Sequence, residues 1–272
     1  MLIPKKIHYC WFGGNELPEI AIKCIESWRK YCSDYELIRW DETNSDLESC
    51  RFVKEAHEAK KWAFVSDYVR LQVIEKHGGI YLDIDVELLK GLDEFLKFDG
   101  FMGFEKDSIW RVNTGLGFGA KPNHPVLRKL MESYENTKFI MDNGDFDMMP
   151  CPHRDTKVLV SLGLAQNGME QNINGIMVFP SDYFCPASLV GEAEITSNTV
   201  SIHHFNASWQ SGRFKRSIAR KKRIIKIFGG WIGGAIDMLF ILNDEIKECG
   251  IQVTAKKIKK KILSFNVKNK IS

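Results

Sequence analysis

The 272-residue sequence has seven cysteines but no Cys-x-x-Cys pair. Zinc ribbons and thioredoxin-like redox sites are built on that spacing, so neither is expected. The odd set of scattered cysteines (10, 24, 32, 50, 151, 185 and 249) reads as reduced, mostly buried thiols of a cytosolic protein. The chain also lacks a clean apolar run of membrane-spanning length: the best stretch, from Ile224 to Leu242, is broken by Lys226 and Asp237. No apolar segment follows Met1-Leu2-Ile3-Pro4-Lys5-Lys6, so no cleavable secretory signal is expected. Internal repeats are absent. With 44 % hydrophobic and 27 % charged residues, the composition excludes a wholly disordered chain, a collagen-like fibre and a polytopic membrane protein.

Charge is unevenly distributed. The net charge of +3 conceals −9 over residues 1–212 and +12 over 213–272. A break this sharp suggests two units with different partners. The expected organisation is one catalytic domain, 1–212, and a basic, amphipathic, partly helical region, 213–272, able to attach to a membrane surface. From Arg213 to Lys226 there are eight basic residues and no acid. Such a segment beside apolar residues suits anionic lipid. Nucleic acid would suit the charge as well, but no nucleic-acid-binding module accompanies it.

The first 125 residues read as alternating strands and helices. Lys5–Phe12 is β-prone and stops at Gly13-Gly14. Pro18 opens a helix with Ile20, Cys24, Trp28 and Tyr31 on one face, and Tyr35–Trp40 is a second strand. This β-α-β unit predicts a parallel sheet with helices on both faces, an α/β fold. One helix is expected over Ala56–Lys76, ended by Gly78-Gly79. Further expectations are β-structure within Phe98–Lys121, a helix over Pro125–Tyr134, an exposed loop over Asn136–Pro152, and strands near Ile176–Pro180 and Thr199–Phe205.

Ile80–Glu87 is the most informative segment. Residues 80, 82, 84 and 86 are aliphatic, while 81, 83, 85 and 87 are Tyr, Asp, Asp and Glu. On a strand this puts core on one face and carboxylates on the other. Asp83 and Asp85 would then lie about 6.5–7 Å apart with like charge, needing water or a hard cation between them. Asp67 and Arg70 share a helix face at i, i+3, either as a plain ion pair or as a polar pair touching a ribose, sugar or phosphate. Trp11 ends the first strand and could stack on a nucleobase or simply fill the core. The segment Ser201-Ile202-His203-His204-Phe205-Asn206-Ala207-Ser208-Trp209 could bring an imidazole to a metal, or hold structural histidines.

Together these pieces resemble glycosyltransferase family 32, the sugar-binding region containing a D-x-D motif. The resemblance rests on Ile3–Gly14, on Ala63–Arg70, on Gly78-Gly79-Ile80-Tyr81-Leu82-Asp83-Ile84-Asp85, and on His203-His204 with Ser208-Trp209. The match is close over residues 3–90 and looser to about 210, and it looks most like bacterial members building capsular or other surface polysaccharide.

The resemblance implies a GT-A type, Rossmann-like nucleotide-diphospho-sugar transferase fold, and retaining hexosyl transfer from a nucleotide-sugar, with a UDP-sugar favoured over GDP-mannose. The acceptor would be lipid-linked or an oligosaccharide, and the +12 charge of residues 213–272 would place the enzyme at the inner face of the plasma membrane. By the same resemblance Asp83 would contact ribose and donor sugar. Asp85 would ligate Mn²⁺ or Mg²⁺, with His204 as a further ligand ahead of His203. Asp67 and Arg70 would hold donor sugar and phosphate, Trp11 would face the base, Trp209 would reach the β-phosphate, and Asn113 would reach the donor sugar. Two other readings compete. Leu82-Asp83-Ile84-Asp85-Val86 also resembles the nucleophile motif of haloacid-dehalogenase-type phosphatases, and the basic tail alone would suit a non-catalytic membrane adaptor.

Overall fold

The computed structural model describes residues 2–205 apart from 108, 189 and 190, together with 216–229, 236, 239 and 240. The chain divides into two compact units, Met1–Trp209 and Gln210–Ser272.

The first unit is built on a seven-stranded sheet. In chain order its elements are β1 (Lys6–Cys10), α1 (Glu19–Tyr31), β2 (Glu36–Trp40), α2 (Arg51–Glu58), α3 (Trp62–His77), β3 (Gly79–Tyr81), β4 (Val86–Leu88), β5 (Gly100–Gly103), β6 (Phe118–Ala120), α4 (Pro125–Glu135), α5 (Cys151–Ser161), β7 (Gln171–Ile173), β8 (Ile176–Phe179), α6 (Ser181–Phe184) and β9 (Ser201–His203). The sheet order is β2-β1-β3-β6-β5-β8-β7. β2, β1, β3, β5 and β8 all run one way; β6 and β7 run against them. β4 leaves this sheet and pairs antiparallel with β9.

Alternation along the central strands sorts side chains into two cores. Ile7, Ile80 and Leu82 join one apolar cluster with Cys24, Ile25 and Trp28 of α1. Cys10 and Tyr81 join the other, with residues of α2, α3, α4 and α5. The sheet is thus sandwiched between helices, the α/β architecture expected of a β-α-β sequence. The parallel strands end together on one edge, which is where open α/β sheets bind ligands.

Two expected elements are broken. The helix expected over Ala56–Lys76 is two helices, parted at Lys60, whose φ of 55° lies in the left-handed region. The break frees Trp62 to pack on bare backbone at Gly13, where a Cβ would stand only 2.6 Å from the Trp62 Nε1. The strand expected over Ile80–Glu87 also breaks. β3 stops at Tyr81, a turn follows in which the Val86 amide donates to the Asp83 carbonyl (3.0 Å), and the chain resumes as β4. Ile84, expected in the core, is only half-buried. One further helix, α5, lies where the sequence reads as the end of a loop.

Of the seven cysteines, the six among the described residues are free thiols, five of them buried. In the second unit, residues 216–229 are helical. Among the described residues, no helix is long and apolar enough to cross a membrane.

Candidate active site

Five chain segments meet at the carboxyl edge of the parallel strands. β3 delivers Asp83 and, through the turn, Asp85. β1 delivers Trp11 and Gly13. The connection leaving β5 delivers Glu105 and Asn113. α3, lying on the sheet, presents Asp67 and Arg70, and β9 brings His203 alongside β4 by pairing it with Val86.

Arg70 organises the base of the site. Its Nη2 lies 3.0 Å from Asp67 Oδ1 and 3.2 Å from Asp83 Oδ1, and its Nε donates to the Ser66 carbonyl at 3.1 Å. The guanidinium sits 5.0 Å from the centre of the Tyr81 ring, and the Tyr81 hydroxyl donates to Asp83 Oδ1 at 2.9 Å. Arg70 is 3 % exposed and Asp67 7 %. So the intrahelical pair exists, but it is buried and shared with the motif carboxylate. Burial pushes the Asp67 carboxyl up to about 6 against the pull of Arg70, and it raises Asp83 above the ordinary carboxylate range in the same way.

The turn draws the two motif carboxylates towards an imidazole. His203 Nε2 lies 3.2 Å from Asp85 Oδ1 and 4.0 Å from Asp83 Oδ2. Ligand atoms of Asp83, Asp85 and His203 all lie within 4.8 Å of one another. Burial disfavours the charged imidazole, yet Asp85 and Asp83 hold the His203 pKa above its ordinary value. His203 Nδ1 is buried and has no hydrogen-bond partner among the described residues. Two carboxylate oxygens and one imidazole nitrogen converging this closely form a donor set that one divalent cation fits.

His204, the sequence-expected ligand, turns elsewhere. Its ring Nε2 pairs with Glu87 Oε2 at 2.8 Å, and Glu87 also meets Lys23 at 3.0 Å. His203, the last residue of β9, takes the place expected of His204, the residue just past it, because successive side chains of an extended chain point to opposite sides.

Asn113 is buried beside Asp83. Its Oδ1 accepts the Gly115 amide at 2.7 Å, and a Cβ on Gly115 would overlap Asp83 Oδ2 while standing 2.9 Å from Asn113 Oδ1. Thr114 donates to the fully buried Asp155 of α5 at 2.8 Å, which pins this loop from below. Trp11 is half-buried, and its Nε1 donates to the Asn15 carbonyl at 2.6 Å. Trp209 lies outside the described residues.

Sequence reasoning missed Glu105. Its carboxylate receives the Asn113 Nδ2–H at 3.4 Å, and burial, with Asp107 nearby, raises its pKa. No motif signalled it; only the topology brings the connection that follows β5 to the edge where β3 ends.

Residues 18–102 match the family described as glycosyltransferase sugar-binding region containing DXD motif, a span that holds Asp67, Arg70, Asp83 and Asp85. An uncharacterised glycosyltransferase of Acanthamoeba polyphaga mimivirus is 25 % identical over 222 residues, covering 76 % of this chain and 84 % of that protein. A mannosyl phosphorylinositol ceramide synthase of Saccharomyces cerevisiae is 30 % identical over 145 residues, and the match spans only 36 % of its length and 50 % of this chain. Among solved structures, the PaToxG glycosyltransferase aligns with a TM-score of 0.46 at 20 % identity, over 59 % of this chain and 70 % of that one. Of the two readings of Asp83-x-Asp85, the family match and the two sequence relatives fall on glycosyl transfer and not on phosphatase chemistry.

Proposed function

We propose that this glycosyltransferase moves a hexose from a nucleotide-sugar to a lipid-linked or oligosaccharide acceptor, with retention of anomeric configuration and with a divalent cation. The observation that carries the reading is the convergence of Asp83, Asp85 and His203 at the carboxyl edge of the parallel strands, inside and beside the matched DXD region.

Asp85, His203 and Asp83 would hold the cation. Mg²⁺ prefers oxygen ligands and near-ideal octahedral geometry, so the imidazole favours Mn²⁺. When bound, the cation supplies Lewis-acid stabilisation of the leaving diphosphate. The chain's own residues do the rest. Arg70 compensates the buried charge of Asp67 and Asp83 and fixes the direction of Asp83. Tyr81 holds the same Asp83 oxygen, leaving the other towards the site. Asn113, locked by the Gly115 amide, keeps an amide edge beside Asp83 for a sugar hydroxyl. Trp11 stands at the end of β1, where a nucleobase can stack.

A lipid-borne acceptor is supported by the name of the yeast relative, which pairs mannosyl transfer with a ceramide lipid. The same name favours GDP-mannose as a second donor beside the UDP-sugars. The basic helix 216–229 supports attachment at an anionic membrane surface, the inner face of a plasma membrane in a bacterial host making capsular or surface polysaccharide. Donor binding tests the reading. Titration calorimetry with UDP- and GDP-sugars, with and without Mn²⁺, is expected to give metal-dependent binding of one of them. Folded protein that binds none would overturn it.

A further inference from the structure

The reaction needs a group to receive the proton of the attacking hydroxyl, and the residues assigned so far leave that position open. Asp83 is engaged by Arg70 and Tyr81, and Asp85 by His203. Glu105, on the connection leaving β5, is a further carboxylate at this edge, tied to the site through Asn113. β5 runs parallel to β1 and β3, so the residue two beyond its end emerges on the side where Trp11 and Asp83 emerge.

Two hydrogen bonds hold Glu105 in place. Its amide donates to the Arg111 carbonyl at 2.6 Å, closing the loop on itself. Its Oε2 takes the Asn113 Nδ2–H, and Asn113 is in turn fixed by Gly115 against Asp83. It lies within electrostatic reach of His203. Among the described residues no cationic side chain pairs with its carboxylate within 4.0 Å. A partly buried carboxylate close to Asp107 and without a paired cation is costly unless a substrate group uses it.

We propose that Glu105 binds the attacking hydroxyl and takes its proton, resting on the transferase reading given above. The acceptor oxygen forms its bond to the anomeric carbon on the face from which the phosphate leaves, so that configuration is retained. The bond from that carbon to the phosphate oxygen breaks, and its electron pair leaves with the nucleoside diphosphate. The hydroxyl proton passes to the Glu105 carboxylate, which returns it to solvent after product release. Asn113 acts on Glu105 as a positioning residue, through the hydrogen bond it donates.

Water can serve as the attacking hydroxyl, so the test needs no identified acceptor. Release of nucleoside diphosphate is measured for the full chain with Mn²⁺ and whichever sugar nucleotide it binds. Glu105→Gln is expected to lower kcat about 100-fold or more, with KM and the metal-dependent nucleotide affinity unchanged. Glu105→Asp, which keeps the charge, is expected to recover part of the loss. Melting temperatures of both variants establish that they are folded. Unchanged turnover in Glu105→Gln overturns the assignment. So does a matching loss of nucleotide affinity, which would make Glu105 part of the donor site. Wild-type protein that turns over no sugar nucleotide overturns the transferase reading itself, a result distinct from either.

Discussion

Arg70 and Asp83 meet at 3.2 Å, tying the middle of α3 to the point where β3 stops. The guanidinium carries Asp67 on the same nitrogen. Removing it would leave the buried Asp67 and the half-buried Asp83 without their cation. Arg70→Met is therefore expected to cost about 3–5 kcal/mol of stability, read by urea denaturation at neutral pH. A loss under 1 kcal/mol would show that the pair contributes little.

Asp85→Ala is expected to lower metal-dependent transfer about a hundredfold or more, with a melting temperature close to wild type. The measurement is nucleoside diphosphate release across an Mn²⁺ titration. Full activity in the variant would remove Asp85 from the site.

The two adjacent histidines separate cleanly. His203→Ala should weaken Mn²⁺ binding at least about tenfold, whereas His204→Ala should leave it within about twofold. Calorimetric titration of Mn²⁺ into each variant checks this. Equal losses would mean that the His204–Glu87 pair supports the same ion.

Gly115 carries no unusual backbone angle, so Gly115→Ala acts by crowding alone. The added methyl would push against Asp83 and Asn113. Donor affinity is expected to fall at least about tenfold, with circular dichroism unchanged.

His8 makes the fold sensitive to acid. Trp40 Nε1–H donates to its Nδ1 at 2.9 Å, which leaves Nε2–H to donate to the Gly78 carbonyl at 3.0 Å. A second proton has nowhere to go, and burial lowers the His8 pKa to about 4. Between about pH 6.5 and pH 4 the unfolded chain then binds more protons than the folded one, so stability falls as pH drops through that window. The loss is about 3 kcal/mol when complete. His8→Gln, which cannot take the proton, should show a flatter dependence in denaturation curves at pH 7 and pH 4.5.

Much of the fold was legible because punctuation and period agreed. Gly13-Gly14, Pro18, Gly78 and Pro125 stand at element boundaries, and Cys24 and Trp28 share the buried face of α1. Both breaks were hidden. No glycine or proline marks the left-handed Lys60. The alternation of Ile80–Glu87 runs unbroken through a turn, because tertiary pairing with β9 takes β4 out of the sheet. In the site, the motif carboxylates and Arg70 were readable from spacing. The choice between His203 and His204 was not, since strand register decides which side chain faces inward and a shift of one residue reverses it. Glu105 was invisible to any local pattern.

The turn at Asp83–Asp85 and the pairing of β4 with β9 join residues about 120 positions apart in one cluster. A nascent chain that has emerged through residue 102 already holds both aspartates and the whole matched region, yet it lacks the imidazole. Capture of an ion by all three groups must wait for β9. Because a ligand that binds only the finished fold stabilises it by mass action, the cation would act as a late clasp, rewarding completed chains over truncated ones.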